Sequence, residues 1–298
     1  YYKEDNIFVR DGLLEIEARK EYYSGKSYTS GRINSKYKGE FTYGKVEFAA
    51  KVPEGNGTWS AVWMLPTMNT YGTWPHSGEI DILEHVGYDP NKVFSSTHTT
   101  KYNHLNPAGA LTFSKTLYEA TDSFNIYTME WLPGKLVMHV NDMKIGEFNY
   151  TPAFNQDVPF DDVFPFDQVF HLIINLAIGG IWGGVDGIDD SIFPTSMYVD
   201  YVRVYQKDVA SIDNNAPSTP DNIRQMTSLA KSIFWDPAED DVMVEKYAVY
   251  VDGAFHRYTN MNQMTFVSLF PGQYEITIEA IDFAGRVSNK SEPFMVTI

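Results

Sequence analysis

The first 207 residues alternate short apolar runs with turn-forming residues. Runs such as Gly44–Val52, Thr58–Leu65, Asn125–Trp131 and Phe170–Ile178 are bounded by Gly, Pro, Asn or Asp, a pattern typical of β-strands. No long stretch has the apolar period of an amphipathic helix. Many short strands without helices predict an all-β fold of the sandwich or barrel type.

A change in character near residue 208 predicts two domains. Residues 207–221, KDVASIDNNAPSTPD, are polar, contain two prolines and lack apolar periodicity, as linkers do. The residues that follow carry another set of short strands, which suits a small immunoglobulin-like sandwich. We therefore predict a first domain over residues 1–207, a linker over 208–220 and a second domain over 221–298.

Composition narrows the function classes. The net charge of −16 would repel nucleic acid, which binds basic surfaces, whereas a neutral polysaccharide is compatible with it. The absence of cysteine excludes disulfides, thiolate zinc sites and a cysteine nucleophile. No apolar run is long enough to predict a membrane span. The high aromatic content of 15% fits β-strands, large cores or a sugar-binding cleft.

The segment SGEIDILEH, residues 77–85, carries three acids at short spacing: Glu79, Asp81 and Glu84. Side chains of a strand alternate between its faces, so Glu79 and Asp81 share one face. Glu84 joins that face only if a β-bulge near Leu83 inserts one extra residue. A retaining glycosidase needs two carboxyls about 5–5.5 Å apart, one ionised and the other protonated. From spacing alone, a solvated acidic strand face is the alternative.

The segment GEIDILEHVG resembles the active-site strand of glycoside hydrolase family 16, and further motifs follow the family's order. They are FTYGKVEFAAKVPEGNGTWSAVWMLP, SSTHT, YTMEWLPGKLVMHVND, LIINLAIGGIWGG and VDYVRVYQ. The resemblance covers residues 1–206 and is closest to the laminarinase-like branch, which acts internally on β-1,3- or mixed β-1,3/1,4-glucans. The start at YYKEDNIFV resembles a point inside the family domain, so we expect the family's first strand to be missing.

This resemblance implies a concanavalin A-like β-jelly-roll sandwich with a cleft on its concave face. It implies that Glu79 is the nucleophile, Asp81 its hydrogen-bonding partner and Glu84 the general acid/base, with retention through a covalent glycosyl-enzyme. It also indicates four substrate-binding residues: Arg32, Trp63, Trp74 and His98. Core packing, a surface ion pair or a structural histidine is the ordinary alternative for each of them.

No cofactor is expected in catalysis, but the family often binds a structural calcium ion. The matching positions are Gly12, through its carbonyl, and Asp200. Two ligands do not make a site, because calcium takes about 6–8 oxygens, and Asp200 has an ordinary strand position as its alternative.

The second domain resembles a fibronectin type III domain in the motifs around Trp235, Lys246–Gly253 and Leu269–Tyr274. A passive spacer is favoured over a glycan-binding role. Such appendages indicate a secreted or cell-surface enzyme, which we expect to be a monomer.

Three other functions stay open from the sequence. A non-catalytic glucan-binding module is disfavoured because all three acids are present. A galactan hydrolase of the agarase, porphyranase or carrageenase type would favour basic side chains in the cleft. Transglycosylation would use the same residues as hydrolysis, so the sequence does not separate the two outcomes.

Overall fold

The computed structural model describes residues 1–150, 158–206, 213–225, 231–241, 244–259, 262–266 and 268–298. They form two compact units. The first comprises Tyr1–Tyr150 and Asp161–Gln206, and the second comprises residues 158–160 together with the described residues beyond Gln206. Helical structure is limited here to α1 (Phe160–Val163), α2 (Gly180–Gly183) and the 3-10 turns Glu4–Asn6 and Asp190–Ile192. The all-β prediction is confirmed.

The described part of the first unit contains fourteen strands. In chain order they are β1 (Ile7–Arg10), β2 (Leu13–Ala18), β3 (Arg32–Asn34), β4 (Glu40–Phe41), β5 (Gly44–Lys51), β6 (Thr58–Pro66), β7 (Glu79–Val86), β8 (Lys92–His98), β9 (Leu111–Thr116), β10 (Asn125–Leu132), β11 (Lys135–Val140), β12 (Met143–Asn149), β13 (Phe170–Ile178) and β14 (Thr195–Tyr205).

These strands form two seven-stranded antiparallel sheets. Sheet A has the order β1-β2-β14-β5-β10-β11-β12. Sheet B has the order β3-β13-β6-β7-β8-β9, and β4 also pairs with β13. Consecutive strands pair in β10-β11-β12 and β6-β7-β8-β9, whereas pairs such as β2-β14, β5-β10 and β13-β6 join distant parts of the chain, as expected of a jelly-roll sandwich.

The core lies between the two sheets because each strand buries alternate residues. Along β10 of sheet A, Tyr127, Met129 and Trp131 are fully buried, whereas the intervening Ile126 is 45% exposed. The Trp131 ring meets Phe170 of sheet B edge-on, with centroids 5.5 Å apart. This packing consumes one face of sheet B and leaves its opposite face available for a site.

The second unit consists of two smaller antiparallel sheets. Its strands are β15 (Asp221–Gln225), β16 (Ser232–Asp236), β17 (Val244–Val251), β18 (Ala254–Thr259), β19 (Gln263–Thr265), β20 (Gln273–Asp282) and β21 (Phe294–Thr297). One sheet has the order β15-β16-β19 and the other β18-β17-β20-β21. Trp235 is fully buried in their shared apolar core.

Part of the predicted linker packs against this second unit. Residues 208–212 lie outside the described residues, but Asp213 is buried and accepts a hydrogen bond from Arg286 Nη1 at 3.0 Å. The Ser218 backbone N–H donates to the Glu239 carbonyl at 2.8 Å. The polar residues of this stretch, whose composition suggested a linker, therefore form hydrogen bonds with other segments of the second unit. No described helix of either unit has the length and apolar character required to cross a membrane.

Candidate active site

The three acids of β7 lie on one face of sheet B because β7 carries an extra residue. Opposite them on β8 are alternate residues: His98 faces Glu79, Ser96 faces Asp81 and Phe94 faces Glu84. The register shifts between Asp81 and Glu84, so three residues of β7 span what two residues span on β8. Residues directly opposite in an antiparallel pair point to the same side. The bulge predicted near Leu83 is therefore present.

The neighbouring strand β6 gives the same result independently. Ala61 pairs with Glu84 and Trp63 pairs with Asp81, with a register shift between Val62 and Trp63. Ala61 and Trp63 are two residues apart on one strand and share a face. Asp81 and Glu84 therefore share that face too, while Val62 is fully buried in the core behind it.

A glycine directly precedes β7, the strand that carries the three acids. Gly78 has a φ of +84°, and a Cβ there would lie 2.7 Å from the Phe166 ring, so both conformation and space require glycine. The loop before it is fixed by the Tyr71 backbone N–H, which donates to Ser77 Oγ at 3.0 Å. Gln168 Nε2 donates to the Ser77 carbonyl at 3.2 Å. These contacts fix the turn that precedes β7 and so determine the position of Glu79.

Glu79 is held by an indole and by Asp81. Trp74 Nε1 donates to Glu79 Oε2 at 2.6 Å, and the Glu79 and Asp81 side chains are hydrogen-bonded to each other. His98 Nε2 lies 3.3 Å from Asp81 Oδ2, although among the described residues that oxygen receives no hydrogen bond of good alignment. Of the predicted substrate-binding residues, Trp74 thus contacts Glu79 directly and His98 contacts Asp81.

Glu84 is held by a second indole. Trp59 Nε1 donates to Glu84 Oε1 at 3.2 Å, and Ser96 Oγ lies 3.4 Å from Oε2. Trp182 packs edge-on against Trp59, with ring centroids 5.6 Å apart. An indole N–H can only donate, so Glu84 Oε1 accepts from Trp59, and a proton on Glu84 would sit on Oε2, beside the Ser96 hydroxyl.

Burial raises the pKa of all three carboxyls. Burial, followed by the charge of Asp81, raises the pKa of Glu79 from 4.5 to about 8. Burial raises the pKa of Glu84 from 4.5 to about 7, against the lowering effect of the Trp59 hydrogen bond. Burial and the charge of Glu84 hold the pKa of Asp81 well above its usual range. The cluster therefore retains protons near neutral pH, and its carboxyls titrate together.

A cavity of about 650 Å³ opens beside Glu79. Its lining includes Arg32, Lys36, Trp63, Trp74 and His104. The Arg32 guanidinium lies over the Trp63 ring, 4.8 Å from its centroid. The cavity thus combines aromatic faces with cationic and polar groups, and Arg32, Trp63 and Trp74 converge on it.

Sequence reasoning missed several residues of this site, namely Trp59, His104 and Asn175. Asn175 Oδ1 accepts a hydrogen bond from Trp63 Nε1 at 2.8 Å. The His104 ring lies 5.1 Å from that of Trp74. Trp59 and Asn175 share strand parity with Trp63 once the register of β6 and β13 is known. No such signal exists for His104, which lies on a loop.

The two predicted calcium ligands lie on sheet A rather than at the acids. Gly12 occupies the turn between β1 and β2, with a φ of +80°. Asp200 is exposed at a register shift in β14. Since Leu14 pairs with Val199, the antiparallel register brings the turn and Asp200 to the same end of these strands.

Comparison with known proteins agrees with this geometry. Residues 1–203 match the model of glycosyl hydrolases family 16. A β-glucanase of Rhodothermus marinus is 44% identical over 212 residues, covering 68% of this chain and 71% of that protein. The X-ray structure of the laminarinase from Rhodothermus marinus has a TM-score of 0.66 at 44% identity, covering 69% and 83% of the respective chains.

A relative that is named for a different activity is also similar. The keratan-sulfate endo-1,4-β-galactosidase of Sphingobacterium multivorum is 39% identical over 186 residues, which cover 60% of this chain and 40% of that protein. The family match spans the whole sandwich that carries the three acids. The chain therefore belongs to glycosyl hydrolases family 16 and is a glycoside hydrolase.

Proposed function

We propose that this enzyme cleaves β-1,3- or mixed β-1,3/1,4-glucans internally and retains the anomeric configuration. The observation that carries the proposal is the placement of three carboxyls on one face of β7, with an indole N–H donated to each glutamate. The β-glucanase and laminarinase relatives support glucan as the substrate class.

In the proposed reaction Glu79 attacks the anomeric carbon while Glu84 gives its proton to the glycosidic oxygen. The carbon–oxygen bond to the leaving sugar breaks, and an ester bond to Glu79 forms. Glu84, now ionised, takes a proton from water, whose oxygen attacks the same carbon. The ester bond then breaks and releases Glu79, so two inversions give net retention.

The ionised state that the proposed reaction requires of Glu79 depends on Asp81. Burial raises the pKa of both glutamates, to about 8 for Glu79 and about 7 for Glu84, whereas the proposed reaction needs Glu79 ionised and Glu84 protonated. The hydrogen bond between the two carboxyls raises the pKa of Glu79 and lowers that of Asp81, so Glu79 becomes the ionised nucleophile only when the shared proton moves to the buried Asp81. Trp74 Nε1, a donor, favours the ionised form of Glu79.

The Trp59 hydrogen bond is expected to set the alkaline limit of activity. Trp59→Phe removes the N–H that lowers the pKa of Glu84, so the proton is kept to higher pH. The alkaline limb of kcat/KM should move up by roughly one pH unit. Trp63→Phe is the matched control, because its N–H donates to Asn175. An unchanged limb in Trp59→Phe would remove Glu84 from the role of acid.

A second candidate substrate class is an anionic galactan. Two cations, Arg32 and Lys36, line the cavity, and a relative named for keratan sulfate is 39% identical. A substrate panel separates the classes: laminarin, lichenan, cellulose, agarose and keratan sulfate at equal mass. We expect oligosaccharides of mixed length from laminarin or lichenan. Release from keratan sulfate or agarose alone would overturn the glucan proposal.

We also propose a structural calcium ion at the Gly12 carbonyl and Asp200. These are hard oxygen donors of the kind that calcium prefers, and the Asp200 carboxylate makes no hydrogen bond or ion pair with the described residues. Chelation by EDTA should lower the unfolding temperature of the first unit, and Asp200→Asn should make that unit insensitive to the chelator. An Asp200→Asn protein that still loses stability with EDTA would refute this site.

The second unit fits a fibronectin type III module, which we propose as a spacer on an exported enzyme. Its strand order of three plus four is that of such sandwiches. Tyr274 Oη donates to the Phe270 carbonyl at 3.0 Å, the contact of a tyrosine corner. A spacer predicts equal laminarin binding with and without the second unit.

A further inference from the structure

The second unit gathers aspartates from separate parts of the chain. One carboxylate oxygen from each of Asp213, Asp240 and Asp241 lies within 4.8 Å of the others. The two segments run side by side, since the Glu239 backbone N–H donates to Ser218 Oγ at 2.8 Å. Asn215 Nδ2 also donates to Asp241 Oδ2 at 2.8 Å. The cluster is therefore built by the fold rather than by adjacency in sequence.

Two carboxylates at this place are buried and incompletely satisfied. Asp213 is 1% exposed and the nearby Asp282 is 0% exposed. Among the described residues, Oδ2 of Asp213 and Oδ2 of Asp282 have no hydrogen-bond partner. Buried carboxylate oxygens without a donor are costly, so these atoms point to a group that the described residues do not supply.

Arg286 meets only part of this demand. Its Nη1 donates to Asp213 Oδ1 at 3.0 Å, and its side chain is 38% exposed. One carboxylate oxygen of Asp213 also lies within 4.8 Å of oxygens of Asp240 and Asp241, and Asp282 adds a further negative charge to the surroundings of Asp213. Arg286 therefore satisfies one of the two oxygens of Asp213 and leaves Oδ2 without a partner among the described residues.

We propose that Asp213, Asp240 and Asp241 bind a calcium ion, with Asp282 adding negative charge behind them. Calcium–oxygen distances of about 2.3–2.6 Å place two ligands of one ion up to about 5 Å apart, which matches the spacing. All three side-chain donors are carboxylates, so a zinc site built from His or Cys does not apply. Calcium tolerates irregular geometry better than magnesium does.

Such an ion would fasten the segment that enters the second unit to the end of the loop after β16. Asp213 lies before β15, and Asp240 and Asp241 lie between β16 and β17. A ligand that binds only the folded state raises its stability by mass action. This site is separate from the acids of β7 and does not depend on the proposed glucanase activity.

The test uses the full chain, freed of metal with EDTA and titrated with calcium by calorimetry. We expect Asp213→Asn and Asp241→Asn each to bind one calcium ion fewer than the parent protein. Asp221→Asn is the charge-matched control, because Asp221 is exposed and lies outside the cluster. Asp241 is also exposed, so its variant keeps the test valid if Asp213→Asn fails to fold.

A second measurement follows thermal unfolding of the same proteins. Millimolar calcium should raise the unfolding temperature of the second unit by about 5–10 °C in the parent protein and in Asp221→Asn. Calcium should not change the unfolding temperature of the second unit in Asp241→Asn. The same calcium stoichiometry in Asp241→Asn and the parent, or no effect of calcium on the second unit, would overturn the proposal.

Discussion

Glu79→Ala is expected to lower kcat/KM on laminarin by about 10⁴-fold or more, because it removes the group that forms the covalent intermediate. The loss should occur without unfolding. Glu79 is partly exposed at the start of β7, and the core face of that strand is formed by buried residues such as Ile80 and Leu83. Circular dichroism and the unfolding temperature provide the check on the fold.

Azide distinguishes this role from that of Glu84. With an activated aryl β-glycoside, azide should enter the space vacated in Glu79→Ala and give the α-glycosyl azide. In Glu84→Ala the covalent intermediate still forms, so azide should give the β-glycosyl azide. A β-azide from Glu79→Ala, or activity within tenfold of the parent, would contradict the assignment of the nucleophile.

Glu84→Gln is expected to stabilise the first unit at pH 8 by about 3 kcal/mol while abolishing most activity. The pKa of Glu84 is raised from 4.5 to about 7 in the folded protein, so the folded state binds more protons than the unfolded state between these values. The contribution of Glu84 to stability is therefore most favourable below pH 4.5 and is lost as the pH rises through about 7. The amide of Gln stays neutral, so the variant does not lose stability by ionisation of a buried carboxyl at high pH.

Chemical unfolding at pH 4.5 and pH 8 measures the effect. The gain from Glu84→Gln should be present at pH 8 and small at pH 4.5. Glu147→Gln is a control of opposite sign, because hydrogen bonds from Lys144, Asn149 and Lys135 lower the pKa of Glu147. It should not stabilise the protein at pH 8. A pH-independent gain in Glu84→Gln would show that burial of its charge is not the cause.

The sequence was sufficient to predict the strand-rich fold and the face of the acids. Period-two alternation predicted that Glu79 and Asp81 share a face. It also predicted that one inserted residue would bring Glu84 to that face, and the pairing of β7 with β8 shows this insertion. These inferences succeed because they depend on local backbone geometry. The reach of Trp74 to Glu79 also joins residues only five apart in sequence.

Contacts between distant segments were not predictable. Trp59 donates to Glu84 across 25 residues, and Trp63 donates to Asn175 across 112 residues. Both depend on the register of β6 with its neighbours, which no local pattern specifies. The rise in the pKa of all three acids also depends on how deeply the fold buries them, which no local pattern specifies.

The central claim is that Glu79 becomes covalently attached to the sugar. An aryl 2-deoxy-2-fluoro-β-glucan oligosaccharide with a good leaving group slows breakdown of the glycosyl-enzyme more than its formation, so the adduct accumulates. Peptide mapping by mass spectrometry should then find the fluorosugar on Glu79. A label on Glu84 or on another residue, or a first product of α configuration by proton NMR, would contradict this account.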